Sequence, residues 1–393
     1  MFNISKKIKT HEMTIITIDS GSVGVAICNE TVEMEISNRR VLWSIRESIP
    51  LPESVTMELY LQATDKVLKK VLTSLVDSKM KIPTDVHVIL SSPWQFSQTR
   101  FVSQSKEKPF KITKKLMHDL MKKEETTFLS EVKQNANHLG DNLELFEAKT
   151  MNMTLNGYVV DEPTNKITKN INLVMHMATA SRVALSDFTD TIKSQLPKTQ
   201  INFHTSIFAY FAVLRDMFFE TKSFLFIEIG EILSEAVIVH EGALSQSVSF
   251  PVGLQNQTYE ISKTLGRTEK EVATCLRMYK EGTLEDNLVT GVEKGLSNAT
   301  SHWAEVFSEA LTSISKGIIV PDAIFLVSSG KNIQWIENAL HNEIVQGFTI
   351  ASQAFSGIAI APEHFNQYIR TASGVEYDVP LELFALYVST KQK

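Results

Sequence analysis

The chain has 393 residues, of which 43% are hydrophobic and 21% charged, with a formal net charge of −6. That length accommodates two to three domains with cores of their own, and the balance excludes a disordered or fibrous chain and argues against a nucleic-acid binder that works through bulk charge. The two cysteines, Cys28 and Cys275, lie far apart and match no metal or redox spacing, which predicts reduced thiols in a cytosolic protein. The ten histidines form no metal-ligating motif, and the lysines at positions 6, 7 and 9 precede no apolar core of signal-peptide length. No run reaches the roughly 18 apolar residues of a membrane span.

The first predicted unit is a hairpin. Thr14 to Ile18 is β-prone and apolar, Asp19-Ser20-Gly21-Ser22 is a turn, and Val23 to Cys28 is a second strand. Arg40 to Ser48 reads as a third strand. A helix from about Ser54 follows, with Leu59, Leu61, Val67, Leu68, Val71, Leu72 and Leu75 in its apolar stripe, and Asp85 to Leu90 is a further strand. From about Ser91 the texture changes. Ser103 to Lys123 carries seven lysines against two acids and predicts a basic helix from near Thr113, read chiefly as a solvated face. Strands at Leu143 to Leu155, Asn156 to Val160 and Asn170 to Ala178 flank the hairpin dipeptide Asn156-Gly157. Met151, Met153, Met175 and Met177 in these strands read as core filler.

Arg182 to Gln195 and Ser206 to Phe219 are predicted helices, separated by a short strand at Gln200 to Phe203. A second hairpin then repeats the design of the first: Phe224 to Ile229, a turn carrying Glu228 and Gly230, and Ala236 to Val239. Helices follow at Asn256 to Leu265, Thr268 to Lys280, stopped by Gly266 and Gly282, and about Asn298 to Ser315. Ala323 to Val327 is a strand that turns through Ser328-Ser329-Gly330 into a helix, and Leu381 to Thr390 is a closing helix. Each hairpin turn joins a carboxylate to small residues at the end of a buried strand. Such a turn lets backbone N–H groups approach phosphate, while the acid can orient a hydrated Mg²⁺.

Hairpins at Asp19 and Glu228 followed by the turn at Ser329-Gly330 resemble, in that order, the phosphate-1, phosphate-2 and adenosine elements of the actin, Hsp70 and sugar-kinase superfamily. The chain resembles in particular the branch that holds the division protein FtsA and the type IV pilus protein PilM. That branch carries a strand-rich (SHS2-like) insertion in its first half and a Pro-Val-Gly exit like Pro251-Val252-Gly253. The start, with Lys6-Lys7 shortly before Asp19, and the stop at Lys393 directly after the closing helix look more like PilM than FtsA. The resemblance implies a two-lobed actin-like (ribonuclease H-like) α/β fold: first lobe 13–90 and 181–221, inserted subdomain 91–180, second lobe 222–362, and a closing segment 363–393 that returns to the first lobe.

The resemblance also implies a nucleotide site made of Asp19, Gly21 and Ser22, with Asp19 the metal ligand, and of Glu228, Gly230, Ser234, Glu235, Arg277, Ser329 and Gly330. This site departs from the superfamily pattern. Glu231, Ile232 and Leu233 replace the glycines and threonine of phosphate-2, so bulk and charge stand where phosphate would approach; two like charges about 4 Å apart repel by roughly 1 kcal/mol in water and more at lower dielectric. Ala273 to Arg277 keeps the cation but not the acid of the ribose-binding helix, and Ser328-Ser329-Gly330 keeps one glycine of two. The expectation is weak binding of ATP and Mg²⁺ or none, with poor or absent hydrolysis. The expected role is a scaffold, cytoplasmic and peripheral to the inner face of the cell membrane. It would bind a membrane-anchored assembly protein through a short cytoplasmic tail, with self-assembly into oligomers or filaments open. An FtsA-like division role and an active ATPase are the alternatives.

Overall fold

A computed structural model describes residues 9–33, 36–50, 56–135, 142–316, 318–330, 333–349 and 354–390. The lysines at positions 6 and 7 lie outside them. The elements in order are β1 (Lys9–Ile18), β2 (Ser22–Glu33), β3 (Ile36–Ser48), α1 (Met57–Asp77), β4 (Asp85–Leu90), β5 (Gln95–Lys111), α2 (Lys114–Asn135), β6 (Leu143–Leu155), β7 (Tyr158–Val159), β8 (Ile167–Ser181), α3 (Arg182–Gln195), β9 (Gln200–Thr205) and α4 (Ser206–Met217). They continue with β10 (Phe224–Ile229), β11 (Ser234–His240), β12 (Ala243–Phe250), α5 (Gln255–Leu265), α6 (Glu269–Lys280), α7 (Asp286–Ile314), β13 (Ala323–Ser328), α8 (Gln334–Ala339), α9 (Glu343–Gln346), β14 (Ser356–Ala359), α10 (Pro362–Phe365), β15 (Arg370–Thr371) and α11 (Val379–Thr390).

The chain divides into two compact units. The first comprises Met1–Phe219, Glu241–Ser245 and Glu363–Lys393, and the second Glu220–His240 and Gln246–Pro362. The main sheet of the first unit has the order β15-β3-β2-β1-β4-β9, antiparallel from β3 to β1 and parallel from β1 through β4 to β9. The sheet of the second unit runs β12-β11-β10-β13-β14, with β10 antiparallel to β11 and parallel to β13. Leaving aside the inserted strands β5 to β8 and the short edge strand β15, both sheets follow the same 3-2-1-4-5 order. In both, the first strand is central: β10 is apolar but for Glu228, and β1 is buried from Met13 to Ile18, where Thr14 and Thr17 are its only polar residues.

Residues 95–181 add a four-stranded sheet, β5-β8-β6-β7. Its core of Phe128, Val132, Leu143, Ile171, Leu173, Met175 and Met177 is covered by α2. The Asn156-Gly157 turn between β6 and β7 has φ values of 50° and 86°, the two left-handed residues that a tight hairpin requires. The basic stretch is helical only from Lys114; its first half is the end of β5, a 17-residue strand held by its pairing with β8 from Gln95 onward.

Helix α7 runs from Asp286, well before the predicted start near Asn298. Gly291 and Gly295 look like breaks but are contact points. A Cβ on Gly295 would lie 2.7 Å from Ile261 Cα, and one on Gly291 2.4 Å from Leu265 Cδ2, so both glycines let α5 press against α7. Among the described residues no helix is long and apolar enough to cross a membrane.

Candidate functional site

In the first unit the Asp19 turn closes between β1 and β2. The Asp19 carboxylate accepts the Gly21 and Ser22 amides at 3.2 and 2.7 Å, and the Ser22 hydroxyl at 2.9 to 3.0 Å. Three neighbours pin the turn from outside. Ile49 N–H donates to the Gly21 carbonyl at 2.7 Å, Trp94 Nε1 to the Asp19 carbonyl at 3.2 Å, and the Tyr60 hydroxyl to the Ser20 carbonyl. Tyr60 and Trp94 also pack ring on ring with centroids 4.7 Å apart. Burial, seconded by the Asp19 charge, pushes the Tyr60 phenol above its ordinary pKa and keeps it a neutral donor.

The other oxygen of Asp19 faces an arginine that the sequence pattern did not single out. Arg46 Nη1 donates to Asp19 Oδ2 at 2.7 Å and to Ser22 Oγ at 2.8 Å, while Nε and Nη2 form a two-point pair with Asp378 at 2.6 and 3.1 Å. Burial works against the charge, but Asp378 and Asp19 outweigh it and raise the guanidinium above its ordinary pKa. Space for the guanidinium comes from Gly24, the register partner of Arg46 on β2: a Cβ there would lie 2.8 Å from Arg46 Nη2. An arginine opposite a glycine inside an apolar hairpin is the one local signal that could have exposed this pair. The donor set fits a structural ion pair. It does not fit a Mg²⁺ water shell, because the carboxylate is already saturated by an arginine, two amides and a hydroxyl.

In the second unit β10 and β13 end side by side, with Ile229 in register with Ser328. This brings Glu228, Gly230, Ser234, Glu235, Ser329 and Gly330 to one end of one sheet. Glu228 and Glu235 are direct register partners on β10 and β11, and both are buried. The loop between them is closed by its own backbone. Gly230 N–H donates to the Leu233 carbonyl at 3.0 Å, and the Ser234 hydroxyl to the Val252 carbonyl at 2.6 Å.

The amides that open α5, of Leu254 and Gln255, donate to the carbonyls of Gly230 and Glu231, both at 2.9 Å. These are the free N–H groups of a helix start, which would otherwise attract an anion. Ser328 Oγ bridges the Ile229 carbonyl at 3.2 Å and the Gly330 amide at 3.0 Å. Arg277 stands apart on α6, exposed, with Nη1 3.9 Å from Glu281 one turn along the same helix.

A cavity of about 750 Å³ opens in the second unit among α5, α6, α7 and α8, lined in part by Gln257, Tyr279, Lys280, Glu293, Gln334 and Trp335. Arg277 is absent from its lining; the neighbouring Leu276, Tyr279 and Lys280 take that face of α6. Among the described residues no group of three or more His, Cys, Asp or Glu could hold a metal ion.

No family model matches the chain, and no curated protein matches it. Among solved structures it is similar to the PilM-PilN type IV pilus biogenesis complex, over 97% of this chain and 98% of that one, with a TM-score of 0.63 and 10% identity. The fold is actin-like. The duplicated 3-2-1-4-5 sheets and this likeness, which runs from end to end, agree on it. Looser likenesses are to the ethanolamine utilization protein EutJ of Carboxydothermus hydrogenoformans, with a TM-score of 0.43 and 7% identity over 96% of this chain and 90% of that one. A Bacteroides thetaiotaomicron protein described as having an actin-like ATPase fold gives 0.44 and 9%, over 96% and 95%.

Proposed function

We propose that this chain is an actin-like scaffold of the PilM type, which engages the short cytoplasmic tail of a membrane-anchored partner and turns ATP over slowly or not at all. The observation that carries this reading is the direction of the backbone donors in the two phosphate-type turns. Gly21 and Ser22 give their amides to Asp19, and Leu254 and Gln255 give theirs to Gly230 and Glu231. Phosphoryl transfer needs such donors preorganised toward the nucleotide. Here they hold the protein's own loops in place.

The structural likeness to a PilM-PilN assembly supports a partner-binding role. A partner would hold the protein at the inner face of the membrane. The cavity of the second unit favours a second, compatible reading in which a nucleoside still binds there, with Lys280 and the amides of Gln257 and Gln334 as its polar contacts.

Turnover of ATP by the purified full chain and by Asp19→Ala tests the first reading. The expected result is background hydrolysis in both. Turnover well above background that disappears in Asp19→Ala overturns it. For the partner, site-specific photocrosslinking in cells should yield a membrane-anchored protein whose isolated tail peptide binds the purified chain; a chain that stays diffuse in the cytoplasm and yields no such crosslink would refute the scaffold role.

A further inference from the structure

A second buried polar system in the first unit takes no part in the site above. From the end of β1 inward, His11 Nε2 lies 3.1 Å from Asp85 Oδ2, and Asn202 Nδ2 donates to Asp85 Oδ1 at 3.1 Å. His87 Nε2 is 3.2 Å from Asp85 Oδ2, within ion-pair range though off the line of a good hydrogen bond. His87 Nδ1 meets His204 Nε2 at 2.9 Å, the two rings lying edge to edge with planes 18° apart and centroids 5.2 Å apart. His204 Nδ1 then faces Glu147 Oε1 at 3.5 Å. A single file of carboxylate, imidazole, imidazole and carboxylate thus crosses β4 and β9 and ends on β6.

The file has three gaps, and each needs one proton to be attractive. Two neutral imidazoles supply only two. Whichever way the neutral tautomers are set, one nitrogen lone pair faces a carboxylate or the other ring. A third proton removes the conflict, placing one imidazolium between two carboxylates.

The alternative home for that proton is Glu147 itself, and its surroundings argue against it. Thr205 donates both its amide, at 2.9 Å, and its hydroxyl, at 2.8 Å, to Glu147 Oε2, and the Tyr387 hydroxyl donates to Oε1 at 3.2 Å. Three donors converging on one carboxyl favour the ionised form. With its proton committed to Glu147, Thr205 Oγ1 accepts from His176 Nε2 at 3.0 Å, which sets that ring's tautomer.

We infer that the His87–His204 pair is a proton-binding site that retains one proton at neutral pH and, by doing so, ties the four-stranded sheet to the main sheet and the closing helix. The titratable groups facing it are His11 from β1, Asp85 from β4, Glu147 from β6, His176 from β8 and Tyr387 from α11. Glu147 is buried with 4% exposure and touches residues of β9 and α11, so its charge acts on all three layers. Loss of the proton leaves that carboxylate against a lone pair, and the junction loosens.

Imidazole ¹⁵N NMR of the full-length protein tests the inference, with His87→Gln and His204→Gln used to assign the two signals. The expected result is one charged ring that titrates at least one pH unit above the ordinary histidine value of about 6.5. Two rings that are both neutral by pH 7 would overturn it. Glu147→Gln keeps an oxygen for Thr205 and removes the charge, so proton affinity at the pair should fall at least tenfold; Asp85→Asn, at the more accessible end, should lower it too. Unchanged titration in both variants refutes the assignment. Hydrogen exchange at the Thr205 amide should accelerate more than tenfold per pH unit through the titration, beyond the base-catalysed slope, and a slope of tenfold alone removes the coupling to the junction.

Discussion

The Asp19 carboxylate lies 2.7 Å from the guanidinium of Arg46, which also pairs with Asp378 through Nε and Nη2. One guanidinium therefore neutralises two carboxylates whose side chains are each 12% exposed. Removing one partner of a buried ion pair leaves uncompensated charge and costs about 3–5 kcal/mol. Arg46→Met should lose stability on that scale in urea unfolding, and adding Asp378→Asn should restore part of it. A loss under about 1 kcal/mol would mean that solvent already screens the cluster.

Glu382 carries a different pH signature. It sits on α11 with 1% exposure, and burial raises its carboxyl from the ordinary 4.5 to about 7; Asp378 adds to the rise and a hydrogen bond from the Thr371 hydroxyl opposes it. Because the folded pKa is the higher one, the folded state holds the proton more tightly. Stability from this group is complete below about pH 4.5, declines as pH climbs toward 7, and is level above that. The full penalty is up to about 3 kcal/mol, at 1.36 kcal/mol per pH unit. Glu382→Gln should therefore match wild type near pH 4.5 and exceed it at pH 8. Equal differences at both pH values would sink the argument.

Gly253 is where the closed loop from Gly230 to Leu233 meets the start of α5. A Cβ there would lie 2.4 Å from the Gly230 carbonyl oxygen and 2.6 Å from Glu231 backbone atoms, contacts that no side-chain rotation can relieve. Gly253→Ala should cost about 1–3 kcal/mol by forcing the backbone apart. Gly347 is the control. It has φ −59°, and the nearest neighbour of a Cβ added there would be 3.6 Å away, so Gly347→Ala should be neutral or stabilise by about 0.4–1 kcal/mol. Thermal unfolding of the two variants should move in opposite directions.

The elements most legible in the sequence were those set by local chemistry. The Asp19 and Glu228 hairpins follow from β-prone apolar runs that stop at a carboxylate and a glycine, and the Asn156-Gly157 turn and the Gly266 helix stop from residues that tolerate positive φ. What escaped was set by distant partners. The Arg46–Asp378 pair spans 332 positions and shows locally only as an arginine facing Gly24. Gly291 and Gly295 hid half of α7, because their use lies in α5, and β5 was obscured by Lys106, Lys108 and Lys111 on its far end. The resemblance named the residues of the candidate site but not the direction of their hydrogen bonds, which depends on how the Gly253 segment packs against the Gly230 loop.

The four-stranded sheet at residues 95–181 offers the last prediction. Phe128 on α2 is fully buried, stacks on Phe96 at 6.4 Å between centroids, and takes the Arg100 guanidinium over its ring at 6.0 Å. Arg100 also pairs with Glu124 and Glu131, both at 2.6 Å, so β5 and α2 are joined by an ionic layer over an apolar one. Phe128→Ala opens a cavity in a small core and should cost about 3–5 kcal/mol, whereas Glu131→Gln, at the solvent-exposed end, should barely move the unfolding midpoint. Since that core comprises residues of β5, α2, β6 and β8, hydrogen exchange should accelerate there first, with the amides of β10 and β13 unchanged. Equal acceleration in β10 would show that the sheet unfolds only together with the rest of the chain.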